Sequence, residues 1–256
     1  MNLIFDTHAH YHDSAFDIDR KKLLDRLPSF GVSGVINCST NLENAEETIK
    51  LCKKYEYIFA GIGIHPLYVK DLQENYQEKV IHLAKENRKV VCIGEIGLDY
   101  YHNKENKEEQ KEFFENQIKI AKKLDLPVVV HDRESHEDVL KILEKHKPKG
   151  VVHCFSGDSQ MANKLVEIGM YLGFGGTVTF RNTEQIKDVL LNIPEERILL
   201  ETDAPYLAPK PFRKKRCDSS FILYTAKKIA EIKNTSIHDL LWATKENACD
   251  LFSLSF

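Results

Sequence analysis

Short apolar runs rich in valine and isoleucine recur along the chain, separated by longer charged segments. In those segments apolar residues return at intervals of three and four, which is the spacing of an amphipathic helix. Eight apolar runs are candidate strands, and each except the last is followed by such a helical pattern. The runs cover residues 3–5, 34–38, 57–64, 90–98, 127–131, 150–155, 170–176 and 197–202.

Eight strand–helix units predict a closed (β/α)8 barrel of the TIM type, because continuously apolar strands suit a parallel sheet that helices cover on its outer side. An open doubly wound sheet is the alternative. Two further helical segments, 219–232 and 236–252, are expected to pack after the last strand. No linker, repeat or shift in composition divides the chain, so residues 1–256 are predicted to form one domain.

Composition restricts the class of protein. With 42% hydrophobic and 29% charged residues, the chain of 256 residues has an ordinary globular balance. Its net charge of −3 argues against binding nucleic acid through overall positive charge. Six scattered cysteines without a C-x-x-C pair indicate buried thiols in a reducing compartment. The first residues lack the features of a signal peptide, and we expect a cytoplasmic, monomeric protein without a membrane span.

Ionisable side chains stand at the carboxyl ends of the apolar runs. They are His8 and His10 on the first run, His65 on the third, Glu95 on the fourth, His131 on the fifth, His153 on the sixth and Asp203 on the eighth. His8 and His10 are two residues apart, so on a strand their side chains point the same way. Each residue alone is explained as a hydrogen-bonded polar group. Together they predict a metal site, because a closed parallel barrel brings these ends to one face.

The donors divide into two sets around Glu95, whose two oxygens can bridge two ions. One set is His8, His10 and Asp203, and the other is His131 and His153. Nitrogen and carboxylate donors suit Zn²⁺ and also accept Mn²⁺ or Mg²⁺, so the metal stays open. Two divalent ions would activate a water, and Asp203 could take its proton as general base. The chain contains no G-x-S-x-G motif, and the set as a whole indicates a hydrolase.

A basic loop follows Asp203 in the stretch "APYLAPKPFRKKRCDSS". It carries Lys210, Arg213, Lys214, Lys215 and Arg216 within seven positions. Because this cluster lies one loop away from the predicted ions, it is expected to attract a phosphate group of the substrate. A solvated loop is the alternative. His65 and Arg133 stand at strand ends of the same face and are further candidate phosphate contacts, or else loop anchors.

Six motifs in order, "FDTHAHYHD", "GIHP", "GEIGLDYY", "HDRE", "HCFSG" and "ETDAPYLAP", resemble the TatD family of metal-dependent deoxyribonucleases. The resemblance runs from His8 to beyond Asp203. It implies a (β/α)8 barrel that hydrolyses DNA phosphodiesters with divalent metal, often as a 3′ to 5′ exonuclease. By position it implies the same six ligands, with Glu95 standing where some barrel relatives use a modified lysine.

Two stretches depart from the family pattern. The family loop commonly reads R-x-x-x-R-N-E-P, whereas here "RKKRCDSS" keeps Arg213 and Arg216 but continues differently. "GIHPL" lacks the second histidine that often follows the proline. Both changes touch the outer pocket, so other substrates stay open: a small amide, ester or lactone, or an aminoacyl-tRNA ester. A non-catalytic interaction protein on the same scaffold is the fourth hypothesis.

Overall fold

Eight parallel strands form one sheet in which each strand pairs with the next along the chain. The computed structural model describes residues 2–71, 75–181 and 183–255. The strands are β1 (Ile4–Ala9), β2 (Val32–Cys38), β3 (Ile58–Gly61), β4 (Val90–Asp99), β5 (Val128–Arg133), β6 (Gly150–Val152), β7 (Tyr171–Phe174) and β8 (Ile198–Leu200).

Helices separate the strands and form the outer layer. They are α1 (Arg20–Arg26), α2 (Leu42–Lys54), α3 (Tyr76–Glu86), α4 (Lys107–Leu124), α5 (His136–His146), α6 (Ser159–Glu167), α7 (Glu184–Asn192), α8 (Ile222–Lys233) and α9 (Ile237–Phe252). The two predicted C-terminal helical segments are therefore present as α8 and α9. Among the described residues, no helix combines the length and the apolar composition needed to cross a bilayer.

The sheet closes where the last strand returns to the first. Ala9 and Ala204 form a parallel bridge between the two ends. The Asp203 amide donates to the His8 carbonyl at 2.9 Å, and the His10 amide donates to the Ala204 carbonyl at 2.7 Å. The predicted (β/α)8 barrel is thus confirmed, and the open-sheet alternative is wrong. Closure matters for function because it brings the β1 and β8 ends, which are distant in sequence, into contact.

A buried carboxylate supports this closure. Asp6 on β1 accepts hydrogen bonds from the backbone and the hydroxyl of Thr202 at 3.0 and 2.6 Å, and from the Ser219 hydroxyl at 2.6 Å. The His8 amide also donates to it, at 3.3 Å. A fully buried carboxylate is costly unless its oxygens are satisfied, and four donors satisfy this one. Asp6 therefore joins β1 to the chain on both sides of the basic loop.

The structure corrects several predicted strand ends. β1 ends at Ala9, β6 at Val152 and β8 at Leu200, so His10, His153 and Asp203 follow their strands instead of ending them. β3 ends at Gly61, so His65 lies in the loop beyond it rather than at its last residue. β4 continues to Asp99 and β5 to Arg133, which places Glu95 and His131 within these strands. The reason is that β4 and β5 keep pairing beyond the apolar run, with Gly97 opposite His131. The polar residues of the sequence indicated where the site lies, but they did not show where the hydrogen bonding between β4 and β5 ends.

An irregularity in β4 determines where the Glu95 side chain goes. Ile93 pairs with Val128 and Ile96 pairs with Val130, so three steps on β4 face two on β5. This is a β-bulge, which re-aims side chains locally. The Glu95 amide donates to the Ser39 carbonyl at 2.9 Å instead of joining the β5 ladder. The bulge lets a carboxylate in the middle of a fully buried strand reach the cluster at the barrel end.

Candidate metal centre

All six predicted ligands converge at the carboxyl end of the barrel. The Nε2 atoms of His8 and His10 lie 3.0 Å apart. Two imidazole nitrogens that bind one ion at about 2.0–2.1 Å lie about 2.9–3.4 Å apart for ligand angles between square and tetrahedral. The observed separation fits that requirement, and the donor set suits a divalent metal.

Glu95 sits between two groups of histidines. Its Oε1 lies 2.8 Å from Nδ1 of His131 and 2.8 Å from Nε2 of His153. Its Oε2 lies 3.5 Å from Nε2 of His8 and 3.6 Å from Nε2 of His10. Each oxygen therefore faces a different group, which is the arrangement a bridging carboxylate needs. The Glu95 side chain is almost fully buried, so these nitrogens are its main polar surroundings.

Asp203 provides the second carboxylate. Its Oδ1 lies 3.3 Å from Nε2 of His10 and 3.6 Å from Nε2 of His8. The residue has a φ of 60°, a left-handed conformation that aspartate tolerates better than most residues. Donor atoms of His8, His153 and Asp203 also lie within 4.8 Å of one another. His8 and His153 stack with ring centroids 3.9 Å apart, so the two predicted donor sets form one continuous cluster.

Contacts on the side away from the cluster determine which ring nitrogen of His10, His131 and His153 faces the cluster. His10 bonds the Cys38 carbonyl through Nδ1 at 2.9 Å, which places its N–H there and leaves the Nε2 lone pair for an ion. His131 contacts Asp99 through Nε2 at 3.2 Å, so its Nδ1 faces Glu95. His153 directs Nδ1 toward Glu201 at 3.6 Å and Nε2 toward Glu95. Metal-binding histidines commonly have such outer partners.

Three acids around the cluster are not among the candidates that the sequence indicates: Asp6, Asp99 and Glu201. All three are almost completely buried. Glu201 accepts the Cys154 amide at 2.6 Å, and a Cβ on Gly173 would lie 2.4 Å from its Oε2, so the glycine makes room for it. An acidic residue within an apolar run could have identified these acids, because burying an acid is costly without a partner.

The charge balance keeps the two central carboxylates ionised. Burial acts to raise the pKa of Glu95, but His153, His65 and His8 outweigh it and hold that pKa well below its usual range. Burial also acts to raise the pKa of Asp203, and the hydrogen bond and charge of His10 lower it. The two ionised carboxylates and the histidine nitrogens together offer a set of donors that suits a divalent cation, which binds the imidazoles in their deprotonated form.

The four predicted substrate contacts lie in different environments. His65 Nε2 is 3.6 Å from Glu95 Oε1, and with Glu95 and His131 it forms a further group of close donors. Arg133 is exposed and stacks on the Tyr101 ring at 4.4 Å, and Arg213 is exposed and stacks on Phe180 at 3.6 Å. The predicted roles of His65, Arg133 and Arg213 stay predictions.

Arg216 is engaged within the chain. Its two terminal nitrogens donate to the two oxygens of Asp19, both at 2.7 Å, and one of them also donates to the Ala15 carbonyl at 2.7 Å. Its guanidinium lies 4.7 Å from the centroid of the Phe16 ring. These contacts hold the basic loop against the segment that follows β1. A contact of Arg216 with substrate stays a prediction, and it would compete with this ion pair.

The chain resembles known proteins over its whole length. The sequence model of the family described as TatD related DNase matches residues 5–253. The uncharacterized metal-dependent hydrolase YabD of Bacillus subtilis is 37% identical, with 99% of this chain and 100% of YabD covered. The 3′-5′ ssDNA/RNA exonuclease TatD of Escherichia fergusonii is 33% identical, with 99% and 100% covered. The crystal structure of YjjV, a TatD homologue from Escherichia coli K12, superposes with a TM-score of 0.94 at 30% identity and covers 100% of both chains.

Proposed function

The chain belongs to the TatD related DNase family of metal-dependent hydrolases, and from this premise we propose that it is a 3′ to 5′ exodeoxyribonuclease. Its substrate would be single-stranded DNA or a DNA 3′ end. The bond cleaved would be the terminal phosphodiester, at a centre of two divalent ions. One relative bears the name of a 3′-5′ ssDNA/RNA exonuclease, and this supports the nucleic-acid substrate.

The observation that carries the proposal is the position of Glu95 between two histidine groups. A carboxylate with one oxygen 2.8 Å from His131 and the other 3.5 Å from His8 is placed to bridge two neighbouring cations. Phosphodiester hydrolysis requires that both the attacking and the leaving oxygen be stabilised, and two ions about 3.5–4 Å apart do this. His8, His10 and Asp203 would hold one ion, and His131 and His153 the other. Mg²⁺ or Mn²⁺ would support activity, and the same donors accept Zn²⁺.

The protein residues would then act around that centre. The bound ions supply Lewis acidity and lower the pKa of a water molecule. Asp203, which is ionised and lies at the rim of the cluster, would accept the proton of the attacking water. Glu95 would hold the two ligand groups together. Asp99 and Glu201 would keep His131 and His153 oriented through their outer nitrogens.

Two arginines are suited to bind the substrate phosphates. Arg133 ends β5 and Arg213 lies in the basic loop, and both are exposed. The guanidinium of Arg133 lies 4.4 Å from the Tyr101 ring centroid and that of Arg213 3.6 Å from the Phe180 centroid, and a guanidinium over an aromatic ring can still donate N–H groups to a phosphate. His65 would add a contact beside Glu95. Since the net charge of the chain is −3, such local contacts are required to offset repulsion between protein and DNA.

The test is cleavage of a 5′-labelled single-stranded DNA oligonucleotide with Mg²⁺ or Mn²⁺, against the same reaction with EDTA. We expect a ladder of products shortened from the 3′ end. Glu95→Gln should abolish it, because the amide keeps the shape of the side chain but offers only one oxygen and no charge. Asp132→Asn is the matched control: the side chain of Asp132 is 4% exposed and pairs with His136 at 2.7 Å, outside the ligand cluster.

The outcomes separate the metal centre from the substrate. Metal-dependent shortening that is lost in Glu95→Gln and kept in Asp132→Asn would support the exonuclease. Absence of cleavage by a protein that binds two ions would refute it. Hydrolysis of an ester, amide or aminoacyl-tRNA by that same protein would then identify the competing function. Full activity in Glu95→Gln would contradict the bridging role.

A further inference from the structure

An exposed tyrosine is held beside the ligand cluster by two anchors. Tyr206 follows Asp203 by three residues, and its amide donates to the Asp203 carbonyl at 2.8 Å, which closes a turn. At the other end its hydroxyl donates to Oδ2 of Asp13 at 2.7 Å. The ring centroid lies 6.4 Å from that of His10. The ring is therefore fixed next to a candidate ligand by contacts at both of its ends.

The ring is nevertheless largely open to solvent. Tyr206 keeps 53% of its surface exposed, so packing against the protein core does not explain its position. Burial and the hydrogen bond and charge of Asp13 raise the pKa of Tyr206, so the hydroxyl stays protonated and donates to that acid. Because the hydroxyl is already engaged, the part of the side chain that remains available to a ligand is the flat aromatic face.

We propose that the exposed face of Tyr206 stacks on the 3′-terminal base of the single-stranded substrate. This inference rests on the proposed exonuclease function. The terminal nucleotide must bind beside the ligand cluster, and Tyr206 offers an aromatic surface there, with its ring centroid 6.4 Å from that of His10. Every base has a π-face, so stacking tolerates any sequence. A base that is still paired and stacked within a duplex would have to leave it first, which makes Tyr206 a determinant of single-strand preference.

Stacking predicts coupling between the ring and the base. The test measures kcat/KM for two oligonucleotides, one intact and one with a tetrahydrofuran abasic residue at its 3′ end, using the wild type and Tyr206→Leu. In the wild type, removal of the terminal base should lower kcat/KM about tenfold, the size of one base–aromatic stack. Tyr206→Leu should lose about the same factor on the intact end and almost nothing more on the abasic end.

Two further variants separate stacking from a structural role. Tyr206→Phe keeps the ring and loses the bond to Asp13, so its kcat/KM should stay within about threefold of wild type and it should still discriminate against the abasic end. Trp242→Leu removes an exposed aromatic ring on α9, the helix whose Asn247 bonds the Glu195 and Ile198 carbonyls at the amino end of β8, and should change nothing. Thermal unfolding of each variant checks that the barrel is intact.

The outcomes distinguish this inference from the function on which it rests. A wild type that cleaves both ends equally would overturn the stacking proposal without any variant and leave the exonuclease standing. The stacking proposal would also be overturned if Tyr206→Leu lowered kcat/KM by the same factor on the intact and on the abasic oligonucleotide. A wild type that cleaves neither oligonucleotide with Mg²⁺ or Mn²⁺ would refute the exonuclease, and the stacking role with it.

Discussion

Replacing Asp99 by asparagine should weaken metal binding without touching a proposed ligand. Asp99 ends β4 with both of its oxygens in use. Oδ1 accepts the His102 amide at 2.8 Å, and Oδ2 accepts from Nε2 of His131 at 3.2 Å and contacts Nδ1 of His102 at 2.9 Å. Burial acts to raise the pKa of Asp99, but the hydrogen bonds from His131 and His102 outweigh it and lower that pKa. The acid is therefore an acceptor on both sides.

An asparagine has only one acceptor oxygen. The His102 amide is always a donor, so the oxygen must face it and the NH₂ group then faces His131. His131 can accept that hydrogen bond at Nε2 only if its own proton moves to Nδ1. Nδ1 lies 2.8 Å from Glu95, where it would present a proton in place of a metal-binding lone pair. Loss of such an outer partner costs about 10- to 100-fold in metal affinity, or about 1.4–2.7 kcal/mol.

Isothermal titration of Mn²⁺ into EDTA-treated protein measures this directly. The expected result for Asp99→Asn is one site with its Kd raised about 10- to 100-fold and the other site little changed. Asp132→Asn is again the control, because the side chain of Asp132 is 4% exposed and pairs with a partly exposed histidine, His136, just as Asp99 pairs with His102. Its ion pair lies outside the cluster, so both Kd values should equal those of the wild type.

Two results would refute the reasoning about Asp99. The first is a Kd for both ions in Asp99→Asn within twofold of the wild type, which would mean that the outer hydrogen bond does not select the ligating nitrogen. The second is an equal weakening in Asp132→Asn, which would point to loss of charge or of stability in general rather than to the state of His131.

Three further predictions concern stability. Divalent metal at 100 times its Kd should stabilise the fold by about 2.7 kcal/mol. Removal of the metal with EDTA should therefore lower Tm by about 5–10 °C. An unchanged Tm would argue against a metal that binds the folded state. The hydrogen bond from Arg216 lowers the pKa of Asp19. At a pH above the usual aspartate pKa of about 3.9, the pair should therefore stabilise the protein by at most about 1 kcal/mol. This stabilisation should be lost as the pH falls through the lowered pKa of Asp19. Urea unfolding of wild type and Arg216→Ala from pH 2.5 to 7 tests this. The difference should shrink toward acid pH and leave the part that comes from the Ala15 and Phe16 contacts, and a difference that does not depend on pH would contradict it. Gly97→Ala should lower the free energy of unfolding by more than about 2 kcal/mol. The reason is that Gly97 has a φ of 143° and that an added Cβ would lie 2.0 Å from the His131 carbonyl oxygen. An equally stable variant would show that β4 and β5 can separate at this position.

Much of the candidate site was predictable from local patterns. His8 and His10 were identifiable because two polar residues with a spacing of two end an apolar run and must share one face of a strand. Asp99 and Glu201 were not identified, although each stands in a motif that contains a predicted ligand, Glu95 for Asp99 and Asp203 for Glu201. A single acid inside an apolar run does not reveal whether it will be a ligand, an outer partner of a ligand, or a support for the fold.

Local patterns were enough to predict the eight strand–helix units and the residues available for chemistry, because alternation, helical spacing and residue type are properties of short stretches of chain. The nitrogen that each histidine turns toward the cluster became known only from the folded barrel, since it depends on outer partners such as Asp99 for His131. The folded barrel also decided the direction of Glu95, through a bulge in the pairing of β4 with β5. Arg216 stays a predicted substrate contact, and the structure adds an ion pair with Asp19, 197 residues earlier in the chain. No local pattern contains a contact of that kind, because it arises only when the barrel closes.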